Sequence, residues 1–181
     1  ASATHAYAEA KRFSETLGAA YRSQHRLPIV NARPYAFIGP YQKLDRPWAI
    51  NNFLRDALFG GPIRMLGDGE SIRSYMYPSD MVVWLLTLLA HGQPGKSYPV
   101  GSPQGIRLKE LAKMIADQFQ PHPEILSRVG EWSKMDATRF VPDVSSCNKE
   151  FDLEIEVGLE EAIGRTIRWN QLGAAEPASL V

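Results

Sequence analysis

What most constrains this chain is the way two hydrophobic periods take turns along it. Short apolar runs bounded by glycine or proline alternate with longer stretches in which apolar residues recur every three or four positions. In residues 4–23 the apolar positions Ala8, Phe13, Leu17, Ala20 and Tyr21 predict a helix, with Thr4 as its N-cap. The run Leu27-Pro28-Ile29-Val30, ended by Arg33-Pro34, predicts a buried strand. A loop over 39–47 leads into a helix over 48–59, which Gly60-Gly61-Pro62 stops. Residues 63–66 and 72–77 read as strands on either side of a Gly67-Asp68-Gly69 turn, and Ser79 is placed to cap an apolar helix over 80–91. In that helix Trp84, Leu85, Leu86, Leu88 and Leu89 are expected in the core. A strand over 97–101 and an amphipathic helix over 107–118 follow. Residues 121–142 read as irregular, a last helix runs from 157 to about 169, and the tail from 173 is expected to fray. Alternation of this kind argues an α/β fold.

Composition narrows the partners. The chain has 181 residues, 44% hydrophobic and 22% charged, which excludes disordered and fibrous classes. Its 20 basic and 20 acidic residues cancel, so no bulk field draws it to nucleic acid or to an anionic membrane. An anionic ligand must therefore be held by a few local arginines. Cys147 is the single cysteine, so no internal disulfide forms, and a reducing, cytoplasmic setting is the simpler expectation. The apolar run over 81–90 is too short to span a bilayer, and residues 1–6 show no signal-peptide pattern. The four histidines are dispersed and make no zinc-type spacing with Cys147, so no metal site is expected.

Tyr7 and Lys11 stand four apart and share a helix face. A phenol titrates near ~10 in water, and a neighbouring ammonium favours the phenolate. Such a pair can move a proton to or from a hydroxyl. More often, a tyrosine and lysine at this spacing are a surface packing pair. Nowhere does a Gly-rich dinucleotide fingerprint occur; Gly67-Asp68-Gly69 lacks the third glycine and precedes a strand.

A set of motifs in fixed order changes the weight of the pair. Tyr7-x-x-x-Lys11, Glu15, Arg33-Pro34-Tyr35-Ala36-Phe37-Ile38-Gly39-Pro40 and Asn52-Phe53 come first. Gly61-Pro62-Ile63, Gly67-Asp68-Gly69, Arg73, Tyr77-x-x-Asp80, Arg139-x-x-Pro142-Asp143 and Gly158-Leu159-Glu160-Glu161-Ala162 follow. Together they resemble the extended short-chain dehydrogenase/reductase family, specifically its NAD-dependent nucleotide-sugar 4,6-dehydratases, 4-epimerases and UDP-glucuronate decarboxylases. The resemblance runs from about Tyr7 to Trp169.

It implies the C-terminal portion of a Rossmann-type parallel sheet with a small mixed α/β substrate lobe. Residues 1–46 would be the Rossmann remnant, and 47–172 mainly the substrate lobe, interleaved with a late sheet strand near 97–101. It implies Tyr7 as catalytic acid–base and Lys11 as its tuning partner and a ligand of the nicotinamide ribose. Arg33 and Pro34 fall on the cofactor side, and Asn52, Arg73 and Arg139 on the nucleotide diphosphate of the substrate. The implied cofactor is NAD, the implied ligand a nucleotide-diphosphate sugar, and the implied assembly a homodimer through the Tyr-Lys helix. Guanidinium forks suit phosphate oxygens.

Three departures qualify the match. Ala36 stands where the family often has Asn, Pro99 precedes the Val100-Gly101 turn where Asn is common, and the Gly-rich turn and catalytic Ser/Thr would lie upstream of Ala1. The chain is therefore expected to be a piece of such an enzyme. A free-standing sugar-nucleotide-binding module and a pairing protein are the alternatives.

Overall fold

The computed structural model describes residues 3–128 and 137–175, in which helices and strands alternate. Helix α1 (Ala3–His25) precedes β1 (Asn31–Pro34); α2 (Ala49–Leu58), β2 (Ile63–Leu66) and β3 (Ile72–Arg73) follow, then α3 (Pro78–His91) and β4 (Ser97–Val100). After them come β5 (Ile106–Arg107), α4 (Leu108–Ala116), β6 (Ile125–Arg128), β7 (Arg139–Phe140), α5 (Ser145–Phe151) and α6 (Leu159–Ala175).

Three small ladders organise these strands. β1 pairs in parallel with β4, Asn31 opposite Ser97 and Pro34 opposite Val100. Parallel neighbours need a crossover connection, and α3 packs on both β1 and β4. β2 pairs in parallel with β6. β3 lies between antiparallel β5 and parallel β7.

Two apolar clusters hold the elements together. Ile50, Phe53, Leu54 and Ala57 recur at helical spacing, so α2 turns one stripe inward. That stripe meets Leu111, Ala112 and Ile115 of α4 and Ile163 of α6. The second cluster joins Trp84 and Leu88 of α3 to Tyr98 and Val100 of β4 and Cys147 of α5. Between the clusters, buried Asp80 accepts hydrogen bonds from the backbone N–H groups of Glu156 (3.1 Å) and Val157 (3.0 Å). The Gly67-Asp68-Gly69 turn is tight for a physical reason. Gly69 has φ +73°, and a Cβ there would meet the Met65 sulfur and the Lys109 backbone.

Several expectations need correction. The first strand begins at Asn31, where the apolar run ends, and most of it is exposed, because among the described residues β1 has β4 as its one strand neighbour. The predicted strand over 72–77 shortens to β3, with only an isolated bridge from Met76 to Phe37 beyond it. Ser79 does not cap α3; Tyr77 is the N-cap and Pro78 occupies the first turn, so Ser79 and Asp80 both lie inside the helix. Trp84 and Leu88 are buried, but Leu86 and Leu89 are exposed, because they fall on the side of α3 turned away from β1 and β4. The region read as irregular contains β6 and β7, and α5 lies in a stretch assigned to no element. The tail expected to fray from 173 is helical to Ala175, where α6 ends, and Thr4, expected as an N-cap, lies inside α1; the rest of the tail falls outside the described residues.

Candidate functional site

Tyr7 and Lys11 lie in the first turns of α1, with the Lys11 Nζ 5.6 Å from the Tyr7 ring centroid. Tyr7 is 70% exposed, so its hydroxyl is open to a ligand. A bidentate ion pair ties α1 to β1: Arg33 Nε and Nη2 donate to the Glu15 carboxylate at 2.7 and 2.6 Å. The hydrogen bond from Arg33 holds Glu15 below the usual carboxylate range, against the smaller cost of burial. This Arg33 fork is therefore committed to Glu15 within the chain. Pro34 ends β1 opposite Val100, and the next N–H, of Tyr35, donates to the Val100 carbonyl at 2.8 Å.

A cavity of about 430 Å³ opens where α2 meets the β2–β6 ladder. Asn52, Arg55 and Asp56 line it from α2, Arg64 and Leu66 from β2, and Leu126 from β6. Its walls are braced. Asp56, 5% exposed, accepts from the Arg64 backbone N–H (3.0 Å), Nε (3.1 Å) and Nη2 (2.7 Å). Burial opposes the Asp56 charge, but these hydrogen bonds outweigh it and hold the carboxyl below its ordinary range. Arg55 donates to Asn52 Oδ1 at 3.1 Å. Asn52 thus lines the cavity and orients an arginine, while its neighbour Asn51 is buried and anchors the 39–47 loop through Gln42 and the Lys43 carbonyl.

The Asp56 pair makes stability acid-sensitive. A carboxylate whose folded pKa is depressed contributes stability above its unfolded value, about 4, and that contribution is lost as pH falls through the lower folded value. Melting temperatures measured from pH 6 downward should drop in this chain from about pH 4. Asp56→Asn should start lower at pH 6 and lose less on acidification; parallel curves would contradict the assignment.

Arg73 and Arg139 lie outside that cavity's lining, on the three-stranded ladder. The register sets Arg73 opposite Phe140 and Arg139 opposite Ile72, so the two arginine positions alternate between faces. Arg73 Nη1 donates to the Thr138 carbonyl (2.9 Å) and Nη2 to the Thr138 hydroxyl (2.8 Å). Phe140 stacks on Tyr35, ring centroids 4.7 Å apart, which brings the Arg73 ladder to the carboxyl end of β1. In open α/β sheets ligands gather at that end of the strands. Ala36 packs against the first apolar cluster and offers no polar group to a ligand. Pro99 pairs with Arg33 and accepts from the Cys147 thiol at 3.3 Å, and burial pushes that thiol's pKa up.

A family model described as the NAD dependent epimerase/dehydratase family matches residues 2–101. The chain belongs to this family. Among relatives, UDP-glucuronic acid decarboxylase 6 of Arabidopsis thaliana is 32% identical over 157 residues, covering 87% of this chain and 45% of its own length. UDP-glucuronic acid decarboxylase 1 of Xenopus tropicalis is 29% identical over 163 residues, with 90% and 38% covered. The chain thus spans less than half the length of these curated relatives. Among solved structures, UDP-glucose 4-epimerase of Thermotoga maritima with UDP-glucose aligns with TM-score 0.83 at 22% identity, over 93% of this chain and 54% of that one. The dTDP-glucose 4,6-dehydratase of Streptomyces venezuelae with NAD and TYD bound aligns with TM-score 0.77 at 23% identity, over 93% and 52%. These likenesses establish the Rossmann-like α/β fold. Among the described residues no helix is long and apolar enough to cross a membrane.

Sequence reasoning passed over Arg55, Asp56 and Arg64. The signal for Arg64 was present: Ile63-Arg64-Met65-Leu66 alternates, and the structure buries Ile63 and Met65 and turns Arg64 and Leu66 outward.

Proposed function

We propose that this chain is the substrate-side part of an NAD-dependent enzyme that acts on a nucleotide-diphosphate sugar by transient oxidation of the sugar. The observation that carries the reading is the open Tyr7–Lys11 pair on α1 of a chain in the epimerase/dehydratase family. The names of its relatives and structural neighbours, which are decarboxylases, dehydratases and epimerases of UDP- and dTDP-sugars, point the same way. The fit to the cofactor is one of donors. The Lys11 ammonium lies over the Tyr7 ring, 5.6 Å from its centroid, and both side chains are exposed, which leaves their donors free for a ribose hydroxyl and a reacting sugar hydroxyl. NAD, when bound, supplies the hydride acceptor.

The chain's own residues do the rest. Tyr7 takes the proton from the sugar hydroxyl as that carbon is oxidised, and returns it in the reverse step. Lys11 keeps a positive charge beside the ring on which negative charge develops. Arg33, held by Glu15, fixes α1 to β1 and so positions the pair from behind the cofactor side. Arg73 is the first candidate for the substrate diphosphate, its guanidinium braced by Thr138. Arg139 is a second candidate from the opposite face of the ladder. Phe13, Leu17 and Tyr21 form an exposed apolar stripe on α1, which supports pairing of two copies through this helix. A cytoplasmic setting goes with the single, buried Cys147.

Calorimetric titration with UDP-glucose and dTDP-glucose tests the reading. One of them should bind saturably, and Arg73→Ala should weaken that binding by more than about tenfold, roughly 1.4 kcal/mol. Failure of both to bind would remove the nucleotide-sugar reading.

A further inference from the structure

Three residues other than glycine adopt a left-handed backbone among the described residues: Arg26, Tyr41 and Asp152. Arg26 and Asp152 each follow the last residue of a helix, α1 and α5, where such a residue is an ordinary stop. Tyr41 ends no helix. It stands in the 39–47 loop with φ +64°, a conformation that crowds the Cβ of a bulky side chain. The residue is 81% exposed, so burial does not hold it there. What does is Trp169 on α6, whose ring centroid lies 4.2 Å from that of Tyr41.

The reversal at Tyr41 turns the loop in two directions. The Tyr41 ring goes to α6, while the next side chain, Gln42, goes to α2. Gln42 Nε2 donates to Asn51 Oδ1 at 2.6 Å, and its Oε1 accepts from the Gly39 N–H at 3.4 Å. Asn51, wholly buried, donates in turn to the Lys43 carbonyl at 2.9 Å. The Leu44 carbonyl accepts from Arg55 Nη1 at 3.5 Å, and Arg55 Nη2 donates to Asn52 Oδ1 at 3.1 Å. A continuous line thus runs from Trp169 through Tyr41 and the loop to Asn52 and Arg55 on the cavity wall. Helix α6 supports the line at one more point. Arg165, one turn before Trp169, lies 5.2 Å from the centroid of the Tyr77 ring, and that ring passes beside Gly39, where the loop begins. Backbone strain persists only where contacts on both sides over-determine it.

We propose that Tyr41 is a positioning residue: its stack on Trp169 latches the 39–47 loop, which sets Asn52 and Arg55 in place before a nucleotide-diphosphate sugar binds. This rests on the nucleotide-sugar reading above. Tyr41 acts through the loop and takes no part in the proton transfer at Tyr7. An unlatched loop lets the tyrosine backbone relax. Each binding event must then recover the latched state, and the apparent affinity falls with the latched fraction.

Limited trypsin digestion of the full chain reads the latch without a ligand. Lys43 is exposed and the bond after it is open to trypsin, whereas Arg46 precedes Pro47 and is protected. Cleavage of a transiently open loop tracks its open population. Removing the ring by Tyr41→Ala, or its partner by Trp169→Ala, should speed cleavage after Lys43 by about tenfold, the upper range for one aromatic contact. The double variant should be no faster than either single one. Tyr41→Gly removes the left-handed cost together with the ring, so its rate should fall between those of the unmodified chain and Tyr41→Ala. Tyr41→Phe keeps the ring and should match the unmodified chain. Melting curves of the Tyr41 variants should stay close to one another, because the exposed ring is not part of the core. UDP-glucose and dTDP-glucose are then titrated calorimetrically into the same proteins, and Tyr41→Ala should weaken binding at least about threefold. Unchanged cleavage in Tyr41→Ala overturns the latch whether or not a ligand binds. So does Tyr41→Gly cleaved faster than Tyr41→Ala, the sign of a loop that has merely lost a side chain. Faster cleavage with unchanged affinity overturns the positioning role and leaves the nucleotide-sugar reading standing. If neither nucleotide sugar binds the unmodified chain, both fall.

Discussion

Tyr7→Phe should lower kcat by about 10²–10⁴ in the native gene product, the usual contribution of one positioned acid–base group. The change deletes a single oxygen from a side chain that is 70% exposed and leaves the Lys11 contact with the ring in place. Folding should be unaffected, and melting curves should superimpose. Substrate affinity should hold, because the hydroxyl acts mainly in the transition state, so the loss belongs in kcat with KM nearly constant. A steady-state assay that found kcat unchanged would remove Tyr7 from the chemistry and return the Tyr7–Lys11 pair to a surface packing contact.

Trp84→Ala should cost about 3–5 kcal/mol of stability, the range for removing a large aromatic from a core. Trp84 is 1% exposed and central to the cluster of α3, β4 and α5. Its indole N–H also donates to the Glu154 carbonyl at 3.1 Å, so truncation leaves that carbonyl without its donor as well as opening a void. For a chain of this size the melting midpoint should fall by roughly 6–20 °C. Trp84→Phe separates the two causes, since it keeps most of the volume but not the donor, and should cost about 1–3 kcal/mol. A fall of less than about 2 kcal/mol on truncation to Ala, by chemical denaturation, would mean that the cluster closes over the void more fully than rigid packing allows.

The helices were the most legible part of the fold. Residues such as Ile50, Phe53, Leu54 and Ala57 carry a period that survives whatever they pack against. The strands were less so, because β3, β5 and β7 are two residues long and β6 begins four residues after Pro121, too short for alternation to stand out. On α3 the periodicity could not say which leucines face inward, since nearly every position is apolar; that depended on where β1 and β4 lie, and Leu86 and Leu89 are exposed as a result.

At the site, Tyr7 with Lys11 was legible because the pair is local to one helix. Asp56 with Arg64 was not, because the turn between α2 and β2 brings together residues eight apart. Arg33 with Glu15 shows the same limit. Both residues stood in the motif pattern, but the sequence did not say that they would bond to each other across 18 positions.

Asp80 has a consequence for how the molecule opens. Its carboxylate sits on a helix of the second apolar cluster and holds the two amides, of Glu156 and Val157, that lead into a helix of the first. Neither cluster can loosen at that point without stranding a buried carboxylate or exposing the amides it holds. Partial opening there is penalised, and the two clusters are coupled into one cooperative unit. Local freedom must then come from segments that this carboxylate does not bind, such as α1 with its exposed Tyr7.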